Sequence, residues 1–164
     1  MTSAQPSFAR ARRALLAGIA LLLAGCGSPI PPDQMVHAPL APPQAGMAQL
    51  IFYRDLDYYG TQAMPTLYLN DKPAGITQNG AVIERDVPPG RYDITLAPTL
   101  PYPGQFKTVV VRAGDVFYVR IGTLPYLGGR FGVTERSYGD TFILTVVDPR
   151  VGVQEIQGLR LIGG

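Results

Sequence analysis

Pro88-Pro89-Gly90-Arg91-Tyr92-Asp93-Ile94-Thr95-Leu96-Ala97, residues 88–97, carries the pattern on which the fold turns. Tyr92, Ile94 and Leu96 alternate with Arg91, Asp93 and Thr95. Successive side chains of an extended strand point to opposite faces, so this period of two describes a strand with one apolar face and one wet face. The turn before it places proline second and glycine third, positions that suit a type II turn in which glycine takes positive φ.

The same vocabulary recurs on both sides. Leu50-Ile51-Phe52-Tyr53-Arg54 is rich in β-formers, and Thr66-Leu67-Tyr68-Leu69-Asn70 alternates with Leu67 and Leu69 on one face. Asn70-Asp71-Lys72-Pro73 has turn chemistry, and Asn79-Gly80 predicts a hairpin. Residues 107–112 and 115–121 flank Ala113-Gly114 and predict a second hairpin. Residues 141–147, nearly all apolar, predict a central strand. In the tail, Asp148-Pro149 suits a helix start with Val153, Ile156 and Leu159 at spacing three, whereas Gly152 and Gly158 disfavour a helix, so helix and strand both stand. Short strands at regular spacing predict an all-β fold, an antiparallel β-sandwich of about seven to eight strands over residues 48–164, with a possible short C-terminal helix. Glycine (19) and proline (16) exceed a fifth of the 164 residues, as many turns require.

Upstream of the strands, residues 27–47 hold six prolines and no sustained period. With Cys26 they read as a linker with local polyproline segments, which fully extended would reach about 65 Å at about 3.1 Å per residue. A disordered segment without a spacing role is the other reading. Further upstream, Arg10, Arg12 and Arg13 precede the uncharged run Ala14–Gly25. As a helix these twelve residues reach about 18 Å, short of the roughly 30 Å bilayer core. A basic start, a short apolar run and small residues are the layout of a secretory signal over residues 1–25.

Leu23-Ala24-Gly25-Cys26 resembles the bacterial lipobox. That resemblance implies a diacylglyceryl group on the Cys26 sulfur and cleavage before it, so Cys26 is the lipidation site; an ordinary signal with a chance cysteine is the alternative. Gly27 stands where an Asp would resemble an inner-membrane retention signal. Anchoring in the outer membrane, on its periplasmic face, is therefore expected for a host with two membranes. Losing residues 1–25 leaves 139 of 164 residues and 11 basic against 12 acidic side chains, a net charge of −1. That balance provides no basic patch for nucleic acid.

Catalytic chemistry finds little material. The mature chain has one histidine, His37, in the linker, and two serines, Ser28 and Ser137, neither in a nucleophile elbow. Asp55 and Asp57 before Gly60 faintly echo a calcium loop but lack its further ligands. A non-enzymatic protein without cofactor or metal is expected. Residues 122–140 mix Tyr126, Phe131 and Tyr138 with Arg130 and Arg136, the residue types that dominate protein contacts. These five are candidate contact residues for an envelope protein or polymer. The other reading makes the aromatics a cover for the open end of the sandwich.

Four stretches, residues 50–54, 67–75, 84–96 and 111–122, together resemble the bacterial lipoprotein-associated domain of unknown function 2846, over roughly residues 48–160. The resemblance implies a small β-rich envelope lipoprotein and supplies no catalytic residues. The expected role is a non-catalytic, membrane-tethered module that contacts another envelope component. A glycan-binding or glycan-active domain using Asp55, Asp57 and the aromatics is the alternative.

Overall fold

The computed structural model describes residues 34–37, 39–56, 63–97, 104–123 and 142–163. They fall within one compact unit, Pro31–Gly164. The strands are β1 (Ala48–Arg54), β2 (Thr66–Leu69), β3 (Lys72–Ile76), β4 (Ala81–Val87), β5 (Gly90–Ala97), β6 (Phe106–Val111), β7 (Val116–Thr123) and β8 (Phe142–Val147). A helix α1 (Pro149–Glu155) and a two-residue strand β9 (Arg160–Leu161) follow. One sheet has the order β8-β7-β1-β4-β9 and the other β3-β2-β5-β6. The fold is the sandwich expected from the sequence, with the tail forming both a short helix and a strand.

Alternation works as read in β5. Ile94 and Leu96 are buried and Tyr92 packs against them, while Arg91 is exposed. They join Leu50, Phe52, Leu67, Ile83, Val109, Val119, Ile121 and Leu144 in the core between the sheets. Each fully buried aliphatic or aromatic side chain contributes about 1.5–3 kcal/mol, so this cluster is the main source of stability. Strand β1 is buried along its whole length for a different reason. Leu50 and Phe52 face that inner core, and Ile51 and Tyr53 face a second cluster with Val36, Val82, Tyr118 and Ile156 on the opposite face of the five-stranded sheet. Burial on both faces is what an unbroken apolar strand records.

Helix α1 belongs to this second layer. Asp148 caps it by accepting from the Arg150 N–H at 2.9 Å, and Pro149 opens its first turn. Gly152, disfavoured in a helix, is buried where α1 meets Tyr118. The Tyr53 hydroxyl donates to Glu155, which also pairs with Arg120 at 2.9 Å.

Several sequence expectations need correcting. Asn79-Gly80 and Ala113-Gly114 close no hairpins; like the turn at Pro88-Pro89-Gly90, each carries the chain from one sheet to the other. Turn chemistry specifies a reversal but not the sheet on which the next strand lands. Gly90 does not take positive φ; it opens β5 in an ordinary strand conformation. Asn70 and Asp71, at φ 49° and 62°, do close the β2–β3 hairpin, the type I′ geometry that fits twisted strands. Strand β8 lies at the end of its sheet's order rather than in its centre, because β1 takes the doubly covered position. The larger sheet is also mixed, since β1 pairs in parallel with β7 and β4 with β9.

The proline-rich segment does not stand free of the domain along its length. Met35 bridges to Arg160, and Val36 is buried, its N–H donating to the Leu159 carbonyl at 2.7 Å. Gln49 Nε2 donates to the Ala41 carbonyl at 3.2 Å, and the Gln44 N–H donates to Asp86 at 3.0 Å. Residues 35–37 and 39–47 thus form a strap across the outer face of the five-stranded sheet, held by an apolar anchor and backbone hydrogen bonds that composition did not reveal.

Candidate functional site

Alternation of strand direction sorts the connections into two groups. The links 55–65, 77–80, 98–105 and 124–141 all leave and re-enter at one end of the sandwich. The links 70–71, 88–89 and 112–115, with Asp148 before α1, lie at the other. The long connections therefore share one end.

The lipidation candidate Cys26 and the contact candidates Tyr126, Arg130, Phe131, Arg136 and Tyr138 lie outside the described residues, as does Asp57. The strand ends that bracket 124–141 are described. Phe142 opens β8 with its ring 4.4 Å from the Arg54 guanidinium carbon, and Arg54 Nη1 donates to the Ala63 carbonyl at 2.7 Å. Arg54 is 2% exposed. A buried guanidinium must be hydrogen-bonded and stacked to offset its lost hydration. Its partners here tie the roots of the 55–65 and 124–141 links together. From sequence Arg54 was only the last residue of a strand; its burial depends on two distant segments.

Exposed apolar side chains lie toward both ends, Val110, Val146 and Val151 toward the short links and four others toward the long ones. Leu56 is 82% exposed, Met64 58%, Ile76 55% and Phe106 54%, all in or beside links at this end. The links at this end carry Asp55 among the described residues and, in sequence outside them, Asp57, Arg130, Glu135, Arg136 and Asp140. The short links opposite carry Asp71, Arg112, Asp115 and Asp148. Met35 is also at the long-link end, because its partner Arg160 pairs with Ala81, the first residue of β4. The chain coming from the N-terminus thus enters the fold beside the long links.

A polar cluster lies under the strap. Gln49 Nε2 donates to Glu84 at 2.5 Å and to Asp86 at 3.4 Å. Burial, and then the Asp86 charge, push the Glu84 carboxyl above its ordinary range; burial, and then Glu84, do the same to the Tyr118 hydroxyl. Pro39, Pro42, Tyr118, Pro149, Arg150 and Val153 line an adjacent groove of about 440 Å³. The carboxylates hold Gln49 and the strap backbone, a structural use. Because Glu84 is harder to ionise folded than unfolded, its ionisation costs stability as pH rises from the ordinary carboxylate range through its raised value. Glu84→Gln keeps an acceptor for Gln49 and removes that cost. Denaturation at several pH values should show the variant gaining on the parent between acidic and neutral pH; a pH-independent difference would refute this coupling.

Tyr53 is similarly committed. Burial, then its hydrogen bond to Glu155, push its hydroxyl upward, so it stays protonated and serves as a donor. Among the described residues no three His, Cys, Asp or Glu side chains gather to hold a metal, and no helix is long and apolar enough to cross a membrane.

A family model described as "Protein of unknown function (DUF2846)" matches residues 44–126. The match spans half of the chain, from the end of the strap through β7, and stops short of β8. No curated protein and no solved structure matches the chain.

Proposed function

The chain belongs to the family of unknown function DUF2846, and from that premise we propose that it is a non-catalytic lipoprotein of the bacterial cell envelope, anchored through Cys26 and presenting the long-link end of its sandwich to another envelope component. The observation that carries the anchoring is Leu23-Ala24-Gly25-Cys26 at the close of a short uncharged run behind three arginines. A diacylglyceryl cysteine acylated again at its amine holds a membrane stably, at about 0.8 kcal/mol per buried CH₂, where a single chain would not.

Two features support a binding role over turnover. The polar clusters under the strap and α1 are engaged in holding those elements to the sheet. The long connections, which in compact domains commonly carry function, converge at one end. Gly27 after the cysteine favours the outer membrane in a host with two, on the periplasmic face.

Cys26→Ala tests the anchor. The variant should lose lipid incorporation and move from the membrane fraction to the soluble fraction. Unchanged lipid labelling and sedimentation would overturn the proposal.

A further inference from the structure

We infer that the chain pairs with a second copy of itself through strand β6, joining two four-stranded sheets edge to edge into one. The surface is made wholly of described residues and is separate from the anchor and from the long links.

An edge strand offers unpaired N–H and C=O groups to another strand, and proteins blunt such edges with charge, proline, irregularity or a cover. Three of the four edges here are blunted. Strand β3 carries Lys72, Pro73 and a register shift against β2. Strand β9 is two residues long, and the part of β4 that it leaves uncovered carries Glu84, Arg85 and Asp86. On β8 the Leu144 N–H donates to the Gly104 carbonyl at 2.7 Å. Strand β6 holds no proline and pairs with β5 in unbroken register. Among the described residues no strand lies on its other side.

The sequence of β6 is self-complementary. Directly opposed residues of an antiparallel pair point to the same face, so a two-fold axis relating two copies must pass beside a residue, not between two. At Thr108 the axis sets Phe106 opposite Val110 of the second copy, and Val110 opposite its Phe106. These side chains are 54% and 65% exposed, and both project from the outer face, since they oppose Thr95 and Arg91 on β5. Aromatic against β-branched is a favourable cross-strand pair, and this register makes two of them. Thr108 itself is fixed by donating to Asp93 at 2.6 Å.

Other registers fit worse. An axis at Lys107 would oppose two ammonium groups, which is destabilising. One at Val109 would set Phe106 against Arg112 and Val110 against Thr108. In the Thr108 register Lys107 faces Val109 of the second copy. The strand's one charge thereby rejects slipped pairing and leaves this pairing open. Val146, 43% exposed on the adjacent edge strand β8, lies along the same seam. The axis runs perpendicular to the joined sheet, so both straps stay on one side of the pair. Two chains anchored in one bilayer, as proposed above, can therefore meet this way.

The test uses the mature lipidated chain in its native membranes, where acylation consumes Cys26, the chain's only cysteine. Under mild oxidation Thr108→Cys should give at least tenfold more disulfide-linked dimer than Asp71→Cys, an exposed site in the β2–β3 hairpin at the far side of the sheet. With Phe106→Cys and Val110→Cys co-expressed under different tags, the mixed dimer should exceed either self-linked dimer several-fold. In this register each residue 106 lies opposite residue 110 and about 14 Å from its own copy. Native mass spectrometry of the detergent-extracted parent should give twice the mass of one acylated chain. Val110→Asp, at an exposed site, should give a single chain with unchanged circular dichroism. Equal linking at 108 and 71, self-linked 106 in excess of the mixed dimer, or a parent of single-chain mass would overturn the pairing. The same spectra weigh the acyl group, so a missing anchor and a missing dimer read separately.

Discussion

Ile94→Asp is expected to lower the stability of the domain by about 4 kcal/mol or more, most of what a domain of this size possesses. Ile94 is fully buried between the sheets, opposite Leu69 on β2 and Lys107 on β6. A carboxylate there loses its hydration inside a cluster of aliphatic side chains, and either ionisation or a raised pKa with a neutral buried acid is costly. The neighbouring Thr95 points away from that core. Thr95→Asp should therefore change stability by no more than about 0.5 kcal/mol. Denaturant melts of the two variants give the face assignment directly; Ile94→Asp melting like the parent would show it to be wrong.

Gly152→Ala should be the second large effect, and its sign is diagnostic. In an open helix, alanine is favoured over glycine by about 1 kcal/mol. At Gly152 an added Cβ would lie 2.4 Å from Cγ and 2.6 Å from Cβ of Tyr118. Those atoms are close to the β7 backbone and cannot swing aside as a flexible chain end would. Either α1 lifts, uncovering Ile156 and Val36, or Tyr118 leaves the outer cluster. A loss of about 3 kcal/mol follows from overpacking of this kind. Tyr118→Ala in the same chain should recover part of it, because the obstructing ring is gone. A Gly152→Ala protein as stable as the parent would mean that α1 does not dock this closely.

These two residues also show what sequence alone made legible. Ile94 sits in an alternating strand, and alternation is a local property, so its face was readable from residues 91–96. Gly152 argued against a helix by propensity, yet its reason for being glycine is Tyr118, more than thirty residues away. The two expected hairpins, at Asn79-Gly80 and Ala113-Gly114, fail for that same cause, and the turn at Pro88-Pro89-Gly90 shares it. Pro88-Pro89-Gly90 announces a reversal, but the partner of β5 is decided by β2 and β6 across the sheet. The strap is the largest omission. Val36 in a proline-rich segment gives no period, and its burial depends on Leu159 and Ile156 at the far end of the chain. For the site, the composition of residues 122–140 was visible, whereas the end they share with Leu56, Met64 and Phe106 emerges only from the order of strands.

The proposal stands on the anchor, and the mass of the amino-terminal peptide of the mature protein tests it most directly. The expected peptide begins at Cys26 and carries a diacylglyceryl group on its sulfur. A mature chain that begins elsewhere, or one that begins at Cys26 with an unmodified thiol, would contradict the lipoprotein proposal.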